Sequence, residues 1–338
     1  MQVSSSLMSA AAQDDSPTVT AVMPARNEEH AIAAAIDSTL AQDYDGPLDM
    51  VVAVAPSDDR TLKIVTELAA RDDRVTVVDN PASITPAGLN AAIAVATGEV
   101  IVRCDAHSEL PEGYVTGAVG TLQSTGAVNV GGVQHAVGIG PMQRGIAAAM
   151  SSPFGVGDAR FHIGGEAGFV DTVYLGVFRR SALEAIGGFD ETLVRNQDYE
   201  LNYRLRKEGG GVYFDPSLRV TYRPRSTLRR LWRQYFEYGR WKRVVVRRHP
   251  GSTRWRQLVA PVFVVGLGLS GIAAVAGYGR IAAVVPGAYV VAMVAATAVE
   301  GAKRKDSATL LLPFVFPTMH LSWGLGFLTP GHPSSSDA

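Results

Sequence analysis

Apolar residues in the N-terminal part of the chain fall into short runs separated by longer amphipathic stretches. Thr18 to Met23 is an apolar run stopped by Pro24, and Met50 to Ala55 is a second closed by Pro56. Val75 to Val78 and Val100 to Arg103 are two more, while Ala31 to Leu40, Thr61 to Ala70 and Pro86 to Ala96 carry apolar side chains at helical spacing. Short strands alternating with helices of this length predict βαβ units and a mostly parallel sheet, so residues 18–218 read as one soluble α/β domain. Ligands of open sheets of this kind lie beyond the carboxyl ends of the strands. The polar segments there are Pro24 to Glu29, Ser57 to Arg60, Asp79 with Asn80, and Asp105 to His107.

The pattern changes in the last third. Leu258 to Ala276 and Ile281 to Val299 contain no charged residue, and Ala308 to Leu328 has His320 as its only titratable group. About 20 apolar residues at 1.5 Å rise cross the ~30 Å hydrocarbon layer, so each run is long enough to span. A buried pair of core helices is the alternative, but three such runs in succession favour transmembrane helices. Lys303, Arg304 and Lys305 lie between the second and third runs, against Arg280 alone between the first two. The positive-inside rule then predicts a cytoplasmic N-terminal domain, three crossings and an external C-terminus, and the membrane expected is the plasma (inner) membrane. Met1 to Pro17 lacks the basic and apolar regions of a signal peptide and reads as a disordered lead-in. The expected organisation is lead-in (1–17), α/β domain (18–218), basic aromatic segment (219–256), three membrane helices (257–330) and a short tail (331–338).

Charge sharpens this picture. Lys plus Arg number 31 and Asp plus Glu 32, yet 13 of the basic residues and only one acid, Glu237, fall within 219–256. Such a local excess points to an anionic partner, and beside membrane spans that partner is a phospholipid surface rather than a nucleic acid. Trp232, Tyr235, Phe236, Tyr238 and Trp241 interleave with Arg229, Arg230, Arg233, Arg240 and Lys242. This describes either an interfacial amphipathic helix or an ordinary juxtamembrane positive stretch. A single cysteine, Cys104, excludes an internal disulfide, a zinc ribbon and an iron–sulfur site. Gly266, Gly268 and Gly271 match the dinucleotide fingerprint, but no βαβ unit surrounds them, and small residues inside a span let helices pack closely.

Two clusters carry chemistry. Asp105 and His107 follow an apolar strand two residues apart, so they point the same way. They can hold one divalent cation through a carboxylate oxygen and an imidazole nitrogen, leaving positions for a diphosphate. A turn in which Asp105 caps neighbouring amides is the plainer reading. Asp198 stands near the start of an amphipathic helix in Gln197-Asp198-Tyr199-Glu200-Leu201, where the dipole favours a carboxylate and an N-cap is the plainer reading.

Five segments, in order and at suitable spacing, resemble family-2 glycosyltransferases. They are Val22 to Glu29, Ala87-Gly88-Leu89-Asn90-Ala91-Ala92, Asp105-Ala106-His107, Gly187-Gly188-Phe189-Asp190-Glu191 and Gln197 to Leu201. The likeness covers about residues 18–245 and is greatest to the bacterial branch that includes the succinoglycan glucosyltransferases, whose catalytic domain precedes membrane spans. It implies a GT-A fold, a nucleoside-diphosphate sugar donor, a divalent metal (Mn²⁺ or Mg²⁺) and inversion at the anomeric carbon. In that picture Pro24, Ala25, Arg26, Asn27, Glu28, Asp58, Asn90, Arg103 and Asp105 line the nucleotide sugar. Asp105 with His107 holds the metal, Gly188, Phe189, Asp190 and Gln197 lie on the acceptor side, and Asp198 is the catalytic base. The chain departs from relatives at the end of the second strand, where Val54 and Ala55 replace an aspartate pair and Asp58 or Asp59 is the substitute. His107 replaces a second metal-site aspartate and shifts preference towards Mn²⁺, and Gln197 replaces the acid that often precedes the base. Arg240-Trp241 resembles the end of a Q-x-x-R-W motif, but position 237 is Glu, so processive synthesis is not expected. The expected activity is transfer of one sugar to a lipid-linked saccharide in cell-envelope or exopolysaccharide synthesis. The alternatives are a polyprenyl-phosphate sugar synthase and a catalytically silent membrane scaffold.

Overall fold

The computed structural model describes residues 16–330; most of the lead-in (1–15) and the whole tail (331–338) lie outside the described residues. The strands are β1 (Val19–Ala25), β2 (Leu48–Val54), β3 (Val75–Asp79), β4 (Val100–Arg103), β5 (Asn129–Ala136), β6 (Gly168–Phe169), β7 (Tyr174–Arg179) and β8 (Val212–Tyr222). The helices of the same region are α1 (Ile32–Leu40), α2 (Thr61–Ala69), α3 (Thr85–Val95), α4 (Tyr114–Thr125), α5 (Pro141–Met150), α6 (Pro153–Val156), α7 (Arg160–Ile163), α8 (Arg180–Ala185) and α9 (Gln197–Lys207). They are followed by α10 (Leu228–Arg248), α11 (Trp255–Val275), α12 (Gly279–Ala282), α13 (Val284–Arg304) and α14 (Leu312–Leu328).

One sheet runs β3-β2-β1-β4-β7-β5-β8-β6. β3, β2, β1 and β4 are parallel, β7 is antiparallel to both β4 and β5, β5 and β8 are parallel, and β6 closes the edge antiparallel. Alternation along β1 shows how the sequence builds two layers. Ala21 and Met23 enter a core with Ile32, Ile36, Val115 and Leu122, whereas Val22 enters one with Leu89, Ala92, Leu201 and Leu205. Each fully buried leucine or isoleucine there contributes roughly 1.5–3 kcal/mol relative to exposure.

β1 does not stop at Pro24 but continues to Ala25, paired throughout with β2. The reason is lateral. Val22 accepts from the Cys104 N–H on the β4 side, and Ala25 accepts from the Ala55 N–H on the β2 side, so Pro24 faces the side where β4 has already ended. Its missing N–H costs no ladder bond. At the other edge β8 reaches Tyr222, so the sheet continues into the basic segment.

α10, whose composition describes an interfacial or juxtamembrane segment, is enclosed along one face. Leu231, Gln234, Tyr235, Glu237, Trp241, Lys242, Val244 and Val245 are all buried. Its first half packs with α5 and α14, and its last turns pack under Leu193 and Tyr199. Three helical segments, Trp255–Val275, Gly279–Arg304 and Ser307–Leu328, are long and apolar enough to cross a membrane. The glycines that bring these helices close differ from those expected. Gly268 and Gly271 face open space and Gly266 only touches Val285, whereas Gly239, Gly324 and Gly326 lie directly on the backbone of neighbouring helices.

Candidate active site

The polar residues beyond β1, β2 and β4 are tied together. Asn27 adopts a left-handed backbone, φ 55°, which asparagine tolerates better than most residues, and turns the chain away from the sheet. Its N–H donates to Ser57 Oγ at 3.2 Å, and its Oδ1 accepts from the Asp58 N–H at 2.9 Å. The Glu28 N–H donates to Thr61 Oγ1 at 2.8 Å and the Glu29 N–H to Asp59 Oδ2 at 3.1 Å. Asp59 also accepts from the hydroxyl and N–H of Thr61, and the hydroxyl bond leads in holding its carboxyl below the usual range. Of the two aspartates offered as substitutes for the missing pair, Asp59 is thus spent on the start of α2, while Asp58 is exposed. Pro24 and Ala25 sit within β1, and Arg26 projects exposed beyond its end.

Asp105 and Asp198 meet through one guanidinium. Arg103, buried at the end of β4, donates from Nη2 to Asp105 Oδ1 at 3.2 Å and from Nη1 to Asp198 Oδ1. Burial works against the arginine's charge, but the two carboxylates outweigh it and hold the guanidinium protonated above its ordinary range. The guanidinium's fixed fork gives each carboxylate its own nitrogen at a set spacing, which a compact ammonium does not. Neither aspartate follows its plainer reading. Asn196, at φ 61°, is the residue that precedes α9, and Asp198 turns to Arg103 instead of capping the helix. The turn after β4 is closed by a backbone bond from the Ser108 N–H to the Asp105 carbonyl, leaving the carboxylate to Arg103.

His107 lies on the same loop as Asp105, with its Nδ1 3.2 Å from Glu28 Oε1. That hydrogen bond raises its pKa above the ordinary imidazole value, against burial. Among the described residues no three His, Cys, Asp or Glu side chains cluster closely enough to hold an ion by themselves. A half-buried carboxylate and a neighbouring imidazole nevertheless suit Mn²⁺ or Mg²⁺ bound largely through substrate phosphates, which needs only one or two protein ligands.

The residues expected on the acceptor side are tied into hydrogen bonds, and not all as the motifs suggest. Asn90 is a clamp across the fold: Nδ2 donates to the Phe189 carbonyl at 2.9 Å and to Glu191 at 2.8 Å, and Oδ1 accepts from the Phe189 N–H at 2.8 Å. Gly188, at φ 70°, abuts that amide, where a β-carbon would lie 2.6 Å from Asn90 Oδ1. Asp190 accepts from the Thr192 hydroxyl and from Arg248. Burial opposes its charge, but Thr192 and Arg248 hold its pKa below the usual range. Gln197 is buried at the first turn of α9. Glu200, on the far face of α9, is fully buried and paired with Arg204 at 2.7 Å and His249 at 2.9 Å. With Gly187 to Asp190, Arg204 and Arg248 they line a hollow of about 330 Å³. A larger hollow of about 620 Å³, with Glu99, Val100, Arg179 and Arg180, lies at the opposite ends of the strands, away from Asp105.

Sequence reasoning named Ser57 only as the start of a polar segment and gave no role to Thr61, Arg195 or Arg248. Arg195 pairs with Glu237 of α10 at 3.5 Å. A polar residue directly after a strand is a usable signal for Ser57 and Thr61, but partners far apart in the chain leave no local trace.

The sequence pattern described as Glycosyl transferase family 2 matches residues 20–187. The succinoglycan biosynthesis protein ExoA of Rhizobium meliloti (strain 1021) is 30% identical over 309 residues, covering 90% of this chain and 92% of that protein. A dolichyl N-acetyl-alpha-D-glucosaminyl phosphate 3-beta-D-2,3-diacetamido-2,3-dideoxy-beta-D-glucuronosyltransferase of Methanococcus voltae is 24% identical over 246 residues, 70% of this chain and 76% of that one. Among solved structures, the mannosyltransferase PcManGT of Pyrobaculum calidifontis, in complex with GDP-Man and Mn²⁺, superposes with a TM-score of 0.60 at 20% identity, covering 91% of this chain and 86% of its own. A 1–349 fragment of S. aureus TarS with UDP gives a TM-score of 0.50 at 14% identity, over 92% and 90% of the two chains. Strand order, the joined loops and these relatives agree, and the chain belongs to glycosyltransferase family 2, as a GT-A enzyme followed by apolar helices that could span a membrane.

Proposed function

We propose that this enzyme moves one sugar from a nucleoside-diphosphate sugar to a lipid-linked saccharide at the cytoplasmic leaflet of the inner membrane, with inversion at the anomeric carbon. The observation that carries the reading is the pair Asp105 and Asp198 joined through Arg103 beyond the parallel strands. Support for the donor comes from GDP-Man and UDP in the two solved relatives, and for the acceptor from the dolichyl-linked substrate in the name of the Methanococcus transferase.

Asp198 is the base. Its side chain is 40% exposed, so one carboxylate oxygen can meet an incoming hydroxyl while the other stays on Arg103. It takes the hydroxyl proton as the acceptor oxygen bonds to the anomeric carbon, and the bond from that carbon to the diphosphate breaks, its electron pair leaving with the nucleotide. Asp105 and His107 would hold a divalent cation, which when bound neutralises charge gathering on the departing diphosphate. Asn27, Glu28 and Asp58 form the nucleotide rim, where Thr61 and Ser57 fix the backbone. Asn90 keeps the Gly188 to Asp190 turn at a constant distance from the site.

The test is a panel of nucleotide sugars offered to the full chain in membranes with Mn²⁺ or Mg²⁺, scored by labelled lipid product. One donor is expected to label a lipid-extractable saccharide. Labelling of polyprenyl phosphate itself would favour the synthase alternative, and a folded protein that transfers and hydrolyses none would sink the enzymatic reading.

A further inference from the structure

The third apolar helix is not situated like the first two. α11 and α13 form a hairpin whose tip stands alone: Val275, Tyr278, Ile281 and Val284 are 92%, 62%, 64% and 63% exposed. α14, in contrast, is held along its whole length by the catalytic domain and α10, and it also touches the base of the hairpin, where Gly324 lies on the Ala260 carbonyl, and its wall, where His320 Nδ1 is 2.9 Å from the Tyr289 hydroxyl. At its start Asp306 pairs with Arg144 of α5 at 3.3 Å, and Gly145 of α5 lies against the Ala308 carbonyl. In its middle His320 Nε2 is 2.9 Å from the carbonyl oxygen of Phe154 in α6. At its end Arg243 donates to the Phe327 carbonyl at 3.0 Å. Arg243 belongs to the part of α10 whose Trp241, Val244 and Val245 pack under Leu193 and Tyr199, and whose Arg248 grips Asp190.

A helix crossing a ~30 Å hydrocarbon layer has its middle about 15 Å deep and its ends on opposite faces. Such a helix could not meet Phe154 halfway along and Arg243 at its end, because both are bound into the same water-soluble body.

We propose that α14 lies in the plane of one leaflet, side by side with α10, so that the chain crosses the bilayer twice and Pro330 returns to the catalytic side. The partner of this surface is the lipid leaflet itself. Leu310, Phe314 and Leu325 are 72%, 63% and 40% exposed on one stripe with half-buried Leu321, whereas Leu312, Val315, Phe316 and Met319 are buried against α5 and α10. One apolar stripe on an otherwise enclosed helix suits the boundary between headgroups and acyl chains. Exposed Arg229, Arg230 and Arg233 flank Trp232 on α10, and Trp255 is 64% exposed where α11 begins. Cations for lipid phosphates and indoles at headgroup depth thus border the stripe and run directly into the spanning hairpin. On this proposal two of the three helices long enough to cross do so, where composition alone expects three crossings, and it does not depend on which sugar is moved.

The experiment uses the full chain in intact cells and in inverted vesicles, labelled with a membrane-impermeant maleimide; the native Cys104 is buried. Three variants are compared: Lys63→Cys on the catalytic domain, Tyr278→Cys at the hairpin tip and Pro330→Cys after α14. Pro330→Cys is expected to label from the same side as Lys63→Cys, and Tyr278→Cys from the other. A fluorescent-protein or alkaline-phosphatase fusion after residue 338 repeats the readout on the unaltered chain, with signal expected from the fluorescent form only. Labelling of Pro330→Cys from the Tyr278 side, in whole or in part, or phosphatase activity from the fusion, overturns the proposal.

Discussion

Gly239 of α10 rests on the carbonyl oxygen of Trp323 in α14, so closely that a methyl group added at the glycine would overlap it. Gly326 makes the reciprocal contact with the Phe236 carbonyl, and the two glycines together set the distance between the helices. Gly239→Ala is expected to lower stability by about 1–3 kcal/mol, the usual cost of overpacking a close interface, because backbone must move. Gly268→Ala, at an open position of α11, serves as the control and should leave the unfolding temperature in detergent unchanged. Equal behaviour of the two variants would show that the contact is not tight in solution.

Asp198→Asn removes the proposed base while keeping the side chain's size. Turnover is expected to fall about 10²- to 10⁴-fold, with donor affinity nearly unchanged. Steady-state kinetics beside nucleotide binding by calorimetry separates the two quantities. A variant that retains most of its turnover would remove Asp198 from the mechanism.

Arg103→Lys keeps a positive charge but loses the fork that reaches both Asp105 and Asp198. Misplacing a reacting group by about 1 Å can cost on the order of 10²-fold, so kcat should fall by roughly that factor with a smaller change in donor KM. A KM effect larger than the kcat effect would instead assign Arg103 to donor binding.

Chelation of divalent ions is expected to abolish transfer, and added Mn²⁺ to restore it better than Mg²⁺ in the native enzyme. Exchange of the imidazole for a harder ligand in His107→Asp should shift that preference towards Mg²⁺. The ratio of Mn²⁺- to Mg²⁺-supported rates is the readout, and a ratio unmoved by the substitution would exclude His107 as a ligand.

Lys242 is buried, its Nζ has no hydrogen-bond partner among the described residues, and the nitrogen sits 3.0 Å above the ring centre of Tyr199. Burial pushes its pKa down to about 6; Asp171 opposes this, and Arg256, Arg206 and Arg254 add to it. Between that value and the ordinary lysine value near 10.4 the unfolded chain binds one proton more than the folded one. Stability should therefore decline as pH falls from about 10 to 6, by at most about 1.4 kcal/mol per unit. Lys242→Met should flatten that dependence in thermal unfolding, and an identical slope in both proteins would mean the lysine is charged in the fold.

The parallel half of the sheet is written locally. Val19 to Met23, Met50 to Val54 and Val100 to Arg103 are apolar runs bounded by polar turns, and the loops that follow them hold Asn27, Glu28, Asp58, Asp105 and His107. The end of β1 was harder, because whether a strand survives a proline depends on which neighbour still needs an N–H. The mixed half, where β7 runs antiparallel between β4 and β5, has no periodicity that distinguishes it from a parallel strand. Arg103 and Asn90 stand in motifs, yet what they hold could not be read: Asp198 and Phe189 are 95 and 99 residues further along. The interior partners of α10 were equally hidden: Glu237 is matched by Arg195 and Arg248 by Asp190, pairs that only folding brings near.

Tyr199, the residue after Asp198, packs on Trp241 of α10, and α10 meets α14 through Gly239 and Gly326. A displacement of the apolar helices would therefore be passed through α10 to the first turn of α9.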